Sequence, residues 1–139
     1  GYRVAGVRTP YPATLCVSVN NEVVHAIPDK DKVLHDGDVV SLDIGMWWRK
    51  LCTDMAITVG VGKVSGEIER MIHATKESLD LGIAAVRPGA HVGDIGHAVE
   101  QRLKKDRLGI IRDLAGHGVG YELHEDPFIP NFGSPHTGP

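Results

Sequence analysis

The segment SLDIGMWWRKLCTDMAITV, residues 41–59, limits the possible folds more than any other part of the chain. Two runs suited to a sheet flank a central Trp47-Trp48-Arg49-Lys50, a pattern of two strands and a turn. Each strand carries one misfit. Asp43 stands between Leu42 and Ile44, and Asp54 between Thr53 and Met55. A symmetric fold-back over Trp47, Trp48, Arg49 and Lys50 sets Asp43 directly opposite Asp54. Directly opposed residues on one face have Cβ atoms about 4.5–5.5 Å apart, and like charges there repel. A lone strand carboxylate is usually a solvated edge residue or the sign of a register slipped by one. Two that face each other must share a proton, find cations or hold a metal. Hard divalent ions take carboxylate oxygens, and two carboxylates can bridge a pair of ions. The turn WWRK lacks the residues that favour positive φ, so a four-residue loop is expected there.

A length of 139 residues suits one domain with one core, here residues 1–139. Apolar residues at 42% and charged residues at 24% exclude a disordered chain. No apolar run approaches the ~18–20 residues of a membrane span, and no basic, apolar leader is visible. Fifteen Lys and Arg against eighteen Asp and Glu give a net charge of −3, so no nucleic-acid partner is expected. Cys16 and Cys52 lie in separate predicted strands and form no CxxC pair, which reads as reduced thiols in the cytosol.

Along the chain, residues 1–13 form a turn-rich entry with Pro10 and Pro12. TLCVSV (14–19) and EVVHAI (22–27) predict a hairpin about Asn20-Asn21, followed by a polar connection over 29–38. The strands of the opening segment span 39–47 and 51–59. A helix is predicted from an N-cap at Ser65, with Glu67 and Glu69 in its first turn. Ile68, Met71, Ile72, Thr75 and Leu79 form its apolar stripe, and RPGAH (87–91) ends it. A second helix over 92–106 shows Val92, Ile95, Val99 and Leu103 on one face. GIIRDLAG (109–116) reads as a strand, and no periodic element is expected from Asp126 onward. The order predicts an α+β fold, with helices on one face of an antiparallel sheet.

Eight histidines are many for this length. His117, in AGHGVG, is flanked by glycines that permit a close backbone approach, and its imidazole could add a nitrogen ligand to the carboxylates. GHGVG lacks the spacing of a phosphate-cradling loop. His124 follows in LHEDP. His35, His73, His91, His97 and His136 have no partner in sequence and read as structural or solvated. Trp47 and Trp48 read as hairpin-tip packing or an exposed patch.

The segments YPATLCVSVNNEVVHAIP, VLHDGDVVSLDIG, TDMAITVG, RPGAHVGDIGHAVEQ and AGHGVGYELHEDPFIPNFG together resemble the type I methionine aminopeptidases, metallopeptidases of the pita-bread fold. They cover nearly the whole chain in the family's order. The resemblance implies Asp43, Asp54 and His117 as ligands of two divalent metal ions (Mn, Fe, Co or Zn), with Asp54 bridging. It implies His25 and His124 as substrate-contacting, catalytic histidines, and Tyr11 and Cys16 as part of the pocket for a methionine side chain. The implied reaction removes the N-terminal methionine by attack of metal-activated water on the first peptide bond. The implied partners are N-terminal methionines of peptides and nascent proteins, with ribosome association and a cytoplasmic location.

The family's centre also uses two glutamates, expected after FGSPHTGP, and Glu122 and Glu125 do not match them. The chain is therefore expected to be a partial catalytic domain, inactive by itself. Two other readings compete. A proline-specific aminopeptidase of the same fold uses similar ligands, but NNEVVHAIP favours the methionine type. A non-catalytic pita-bread binding module would be expected to have lost ligands, and all three ligand matches are intact.

Overall fold

The computed structural model describes residues 2–3 and 8–139. Residue 1 and residues 4–7 of the expected entry loop lie outside the described residues. Seven elements follow in order: β1 (Cys16–Val19), β2 (Val39–Trp48), β3 (Leu51–Gly60), α1 (Gly66–Ala85), α2 (Val92–Lys105), β4 (Ala115–Gly118) and β5 (Glu125–Pro130). The first three strands make an antiparallel sheet in the order β1-β2-β3, and β4 pairs with β5 in a second, two-stranded sheet. This is the expected α+β class.

The β2–β3 hairpin forms, but its register and turn differ from expectation. Trp48 pairs with Leu51, so the turn has two residues, Arg49 and Lys50, at φ 49° and 71°. Positive φ at both central positions is the requirement of a type I′ turn, whose twist matches the strands. The tighter turn shifts the register by two. Asp54 now lies opposite Gly45, and Asp43 opposite Ala56. An even shift keeps each side chain on its face, whereas an odd one would have turned the carboxylates apart. Asp43 and Asp54 are therefore diagonal neighbours on one face, not directly opposed.

The turn after β1 forms as expected, with Asn20 at φ 55° and a Glu22 N–H bond to the Val19 carbonyl at 3.1 Å. The strand expected over 22–27 does not form. The longer β2 takes β1 as its ladder partner, through Cys16 opposite Asp43 to Val19 opposite Val40. His25 at φ 58° breaks the extended path, and Val23, Val24 and Ile27 are left exposed.

Ser65 caps α1, its hydroxyl accepting from the Ile68 N–H at 3.3 Å. The buried face of α1 is Ala74, Ser78 and Gly82, while Met71 and Leu79 of the expected stripe are exposed. Close approach to α2 explains the difference: a Cβ on Gly82 would stand 3.1 Å from Val99 Cγ2. Small residues seat the helix pair, and larger ones are left outside. On α2, Val99 and Leu103 are buried as expected.

The remaining strands also depart from the sequence pattern. Residues 109–114 are not extended in a ladder, and β4 begins only at Ala115. Arg112 instead turns to the buried Glu100 at 3.1 Å and stacks over the Phe132 ring at 4.3 Å. The coil expected after Asp126 contains β5, a short strand whose prolines at 127 and 130 offer no N–H to a ladder. Beyond β5 the chain crosses the start of α2. Its Thr137 and Pro139 carbonyls accept from the Gly93 and Val92 N–H groups at 2.9 Å each, satisfying donors that a helix start leaves free.

Candidate active site

Asp43 lies in the middle of β2, flanked by Cys16 on one neighbouring strand and Ala56 on the other. Asp54 lies across from Gly45 on β3. His117 comes from the second sheet, at an irregularity in the β4–β5 register between His117 and Gly118. The two sheets are joined here by backbone. The Cys52 N–H donates to the Gly120 carbonyl at 2.6 Å. Gly45 makes the approach possible, since a Cβ there would stand 2.9 Å from Leu123 Cδ1. A glycine inside a strand often marks such an approach, and this one was the readable signal that sequence analysis passed over.

The result is an open cleft of roughly 1470 Å³ whose lining includes Tyr11, Cys16, His25, Asp43, Asp54, His117 and His124. All the candidate residues therefore meet in one place. His117 Nε2 is 3.5 Å from Asp54 Oδ2, and His25 Nδ1 is 3.9 Å from Asp43 Oδ2. The His117 and His124 rings lie 4.2 Å apart, and His124 Nδ1 is 3.3 Å from the Tyr2 hydroxyl. Tyr2 in turn stacks on Trp47 at 5.9 Å, so at least one of the tip tryptophans borders the cleft. Nothing in the sequence pointed to Tyr2.

Electrostatics and tautomer both indicate a cation-seeking site. Burial raises the Asp43 carboxyl above its ordinary range, and the neighbouring Asp54 raises it further through its charge and a hydrogen bond. Both effects disfavour a second negative charge. His117 Nδ1 lies 2.9 Å from the Gly118 carbonyl, which can only accept, so Nδ1 carries the proton. In the neutral ring Nε2 then has a free lone pair, and it points at the Asp54 carboxylate. A lone pair facing a carboxylate calls for a positive charge between them, either a proton or a metal ion. A backbone carbonyl fixing the far nitrogen is also a common way to prepare histidine for a metal. The donor set fits a divalent metal.

Tyr11 supports the cleft wall. Its hydroxyl donates to the Ala26 carbonyl at 2.8 Å, holding the segment that carries His25. Burial, then its hydrogen bond to Cys16, pushes the Tyr11 hydroxyl up to about 12. Glu125 lines the same cleft, but its Oε1 accepts the Glu122 N–H at 2.7 Å.

A carboxylate-bearing hairpin facing a tautomer-fixed histidine across an open cleft is an arrangement suited to holding a divalent metal. The chain belongs to metallopeptidase family M24, whose pattern matches residues 2–139. It is 41% identical over 129 residues to the methionine aminopeptidase of Clostridium acetobutylicum, covering 93% of this chain and 52% of that protein. The crystal structure of methionine aminopeptidase from Thermotoga maritima matches with a TM-score of 0.86 at 44% identity, over 89% of this chain and 50% of that one. The X-Pro aminopeptidase of the same species matches with a TM-score of 0.70 at 23% identity, over 84% of this chain and 34% of that one, a likeness of fold alone. The fold is thus the pita-bread fold of these peptidases. The chain spans about half the length of the methionine aminopeptidases it matches. Membership of the family implies a divalent metal cofactor. No helix is long and apolar enough to cross a membrane among the described residues.

Proposed function

We propose that residues 1–139 form part of the catalytic domain of a methionine aminopeptidase, which takes the N-terminal methionine of peptides and of nascent proteins at the ribosome. The observation that carries this reading is the meeting of Asp43, Asp54 and the lone pair of His117 in one cleft with Tyr11, Cys16, His25 and His124. Asp43, Asp54 and His117 would hold two divalent ions of the Mn, Fe, Co or Zn kind, with Asp54 between them. Such ions supply an acidified water and polarise a carbonyl.

The chain's own groups take the other roles. With its Nδ1 accepting from the Tyr2 hydroxyl 3.3 Å away, the tautomer this role requires, His124 would carry an N–H at Nε2 to donate to an oxyanion as its charge develops. His25 would offer a second donor from a backbone that Tyr11 anchors through the Ala26 carbonyl. Tyr11 and Cys16 line the wall against which a methionine side chain would lie. Free thiols at Cys16 and Cys52 suit the cytoplasm.

The test is hydrolysis of Met-Ala-Ser by a chain of the relatives' full length. Asp54→Ala is expected to abolish turnover with loss of metal. His124→Ala is expected to lower kcat about a hundredfold with metal content intact. Loss of metal in His124→Ala would overturn the division into ligands and donors, and cleavage of Ala-Pro in place of Met-Ala-Ser would overturn the substrate. Three protein donors cannot fill the shells of two ions. The 139 residues alone are therefore expected to bind Mn²⁺ weakly and to turn over no peptide.

A further inference from the structure

We propose that Cys16, His25 and Asp43 form a second cation site, one that selects a thiophilic divalent ion such as zinc or cadmium. The thiol sulfur, an imidazole nitrogen and a carboxylate oxygen of these three residues lie within 4.8 Å of one another, the compact three-donor group among the described residues. The site draws Asp43 from the proposed hydrolytic centre and Cys16 and His25 from the proposed substrate pocket, but it uses neither Asp54 nor His117, so the two readings can be tested apart.

Backbone geometry brings these donors together. Cys16 and Asp43 are direct cross-strand partners in the β1–β2 ladder, which puts their Cβ atoms about 4.5–5.5 Å apart. His25 arrives from outside the sheet at φ 58°, an uncommon conformation for a residue other than glycine. Its neighbour Ala26 is fixed through its carbonyl, which accepts from the Val17 N–H at 3.0 Å and from the Tyr11 hydroxyl at 2.8 Å. The backbone is therefore anchored, while the His25 side chain stays 69% exposed and free to turn.

Bond lengths of about 2.0–2.3 Å to O, N and S set the donors of a tetrahedral ion roughly 3.3–3.8 Å apart. His25 Nδ1 and Asp43 Oδ2 are already 3.9 Å apart, so only a small inward rotation is needed. A Cys, a His and an Asp with a fourth position open to the cleft make a donor set of zinc type. The sulfur is what discriminates. Hard ions such as Mn²⁺ and Mg²⁺ gain little from a thiolate, whereas zinc and cadmium gain much. On binding, the Cys16 thiol gives its proton to solvent and its sulfur lone pair to the ion. An ion held here would lock the His25 ring and occupy the Cys16 side of the cleft.

The experiment titrates the 139-residue chain with Cd²⁺ and follows the ultraviolet thiolate-to-metal charge-transfer band. Iodoacetamide labelling, mapped by peptide mass, then reports which thiol the ion protects. The expected result is a band saturating at one equivalent, with Cys16 protected by Cd²⁺ or Zn²⁺ and not by Mn²⁺. Cys16→Ser should remove the band, Cys52→Ala should keep it, and His25→Ala should weaken Cd²⁺ binding at least tenfold. Absence of the band, its survival in Cys16→Ser, or unchanged affinity in His25→Ala would each overturn the proposal. Should Cys52→Ala fail to fold, labelling of the unsubstituted chain still decides which cysteine binds. Asp54→Asn separates the two metal readings. Retention of the Cd²⁺ band there, with loss of the Mn²⁺ paramagnetic signal, supports both. An unchanged Mn²⁺ signal sinks the hydrolytic centre alone, and loss of the Cd²⁺ band sinks the thiolate site.

Discussion

The helix pair and the outer half of the β2–β3 hairpin are built by opposite rules. On the helices, Ala74, Ser78 and Gly82 of α1 and Val99, Glu100 and Leu103 of α2 are buried. The start of α2 is closed by a double contact: Asp94 accepts from the His91 and His136 N–H groups. On the hairpin, Ile44, Met46, Trp48, Leu51, Met55 and Ile57 share one face and are all exposed. The other face carries Asp43 and Asp54. Packing is concentrated where there is no chemistry, and the candidate chemistry lies where packing is thin. Substitutions at the helical end should then cost stability, and those at the cleft should change ligand binding at little cost in stability.

The largest stability effect is expected at Gly96. A Cβ there would stand 2.4 Å from the Phe132 carbonyl oxygen and 2.7 Å from that of Pro130. Both are backbone atoms that cannot swing aside. Gly96→Ala should destabilise by about 2–3 kcal/mol, measured by urea denaturation. A loss within about 0.5 kcal/mol would show that the helical end is not the tightly fitted region.

Glu100 probes the same end through charge. Lys104 and Arg112 each reach its carboxylate at 3.1 Å, and the bond from Lys104 is the main cause of its lowered pKa. A carboxyl held below its ordinary value of 4.5 adds stability above that pH, and the gain is lost as pH falls through the lower, folded-state value. Both cations are largely exposed, so Glu100→Gln should cost about 1–2 kcal/mol at pH 7. The difference between Glu100→Gln and the unsubstituted chain should shrink as pH falls from 4.5 through the lowered, folded-state value. An unchanged difference there would mean that the loss came from packing and not from charge.

These two sites also show what the sequence could reveal. The α2 face, the Ser65 cap and the two carboxylates on one sheet face were all legible, because each rests on local spacing. Asp43 and Asp54 stayed together through the register error because it was even. What could not be read depended on distant partners. Residues 22–27 fail to extend along the outer edge of β1 because His25 turns to positive φ, leaving the Val17 N–H bond to the Ala26 carbonyl in place of a ladder. The small-residue face of α1 is set by how closely α2 approaches. Gly45 and Tyr2 gain their meaning only from Leu123 and His124, which lie far away in sequence.

At the hairpin tip, Arg49 and Lys50 hold positive φ with side chains that disfavour it. Replacing the pair with Asn-Gly supplies the residues that a type I′ turn prefers. The double substitution should stabilise by about 1 kcal/mol without altering metal affinity, as judged by denaturation and Mn²⁺ titration. Destabilisation would mean that the register places the turn elsewhere.

The smallest effect on stability is expected where the effect on binding is greatest. Asp54→Asn removes one of two carboxylates that share a face and oppose each other through charge, and it keeps the shape. The His117 lone pair would then meet an amide that can donate to it. Repulsion across the hairpin disappears, so metal-free stability should rise by less than about 1 kcal/mol, the usual worth of a cross-strand pair. Mn²⁺ binding should be lost, because a neutral amide is a poor substitute for a carboxylate in holding a hard divalent ion. Denaturation in chelator beside Mn²⁺ titration reads both quantities on one sample. A clear loss of metal-free stability would mean that the two carboxylates hold the hairpin together through a shared proton and are not held apart for a metal. The division between a packing end and a binding end would fail at the residue on which it most depends.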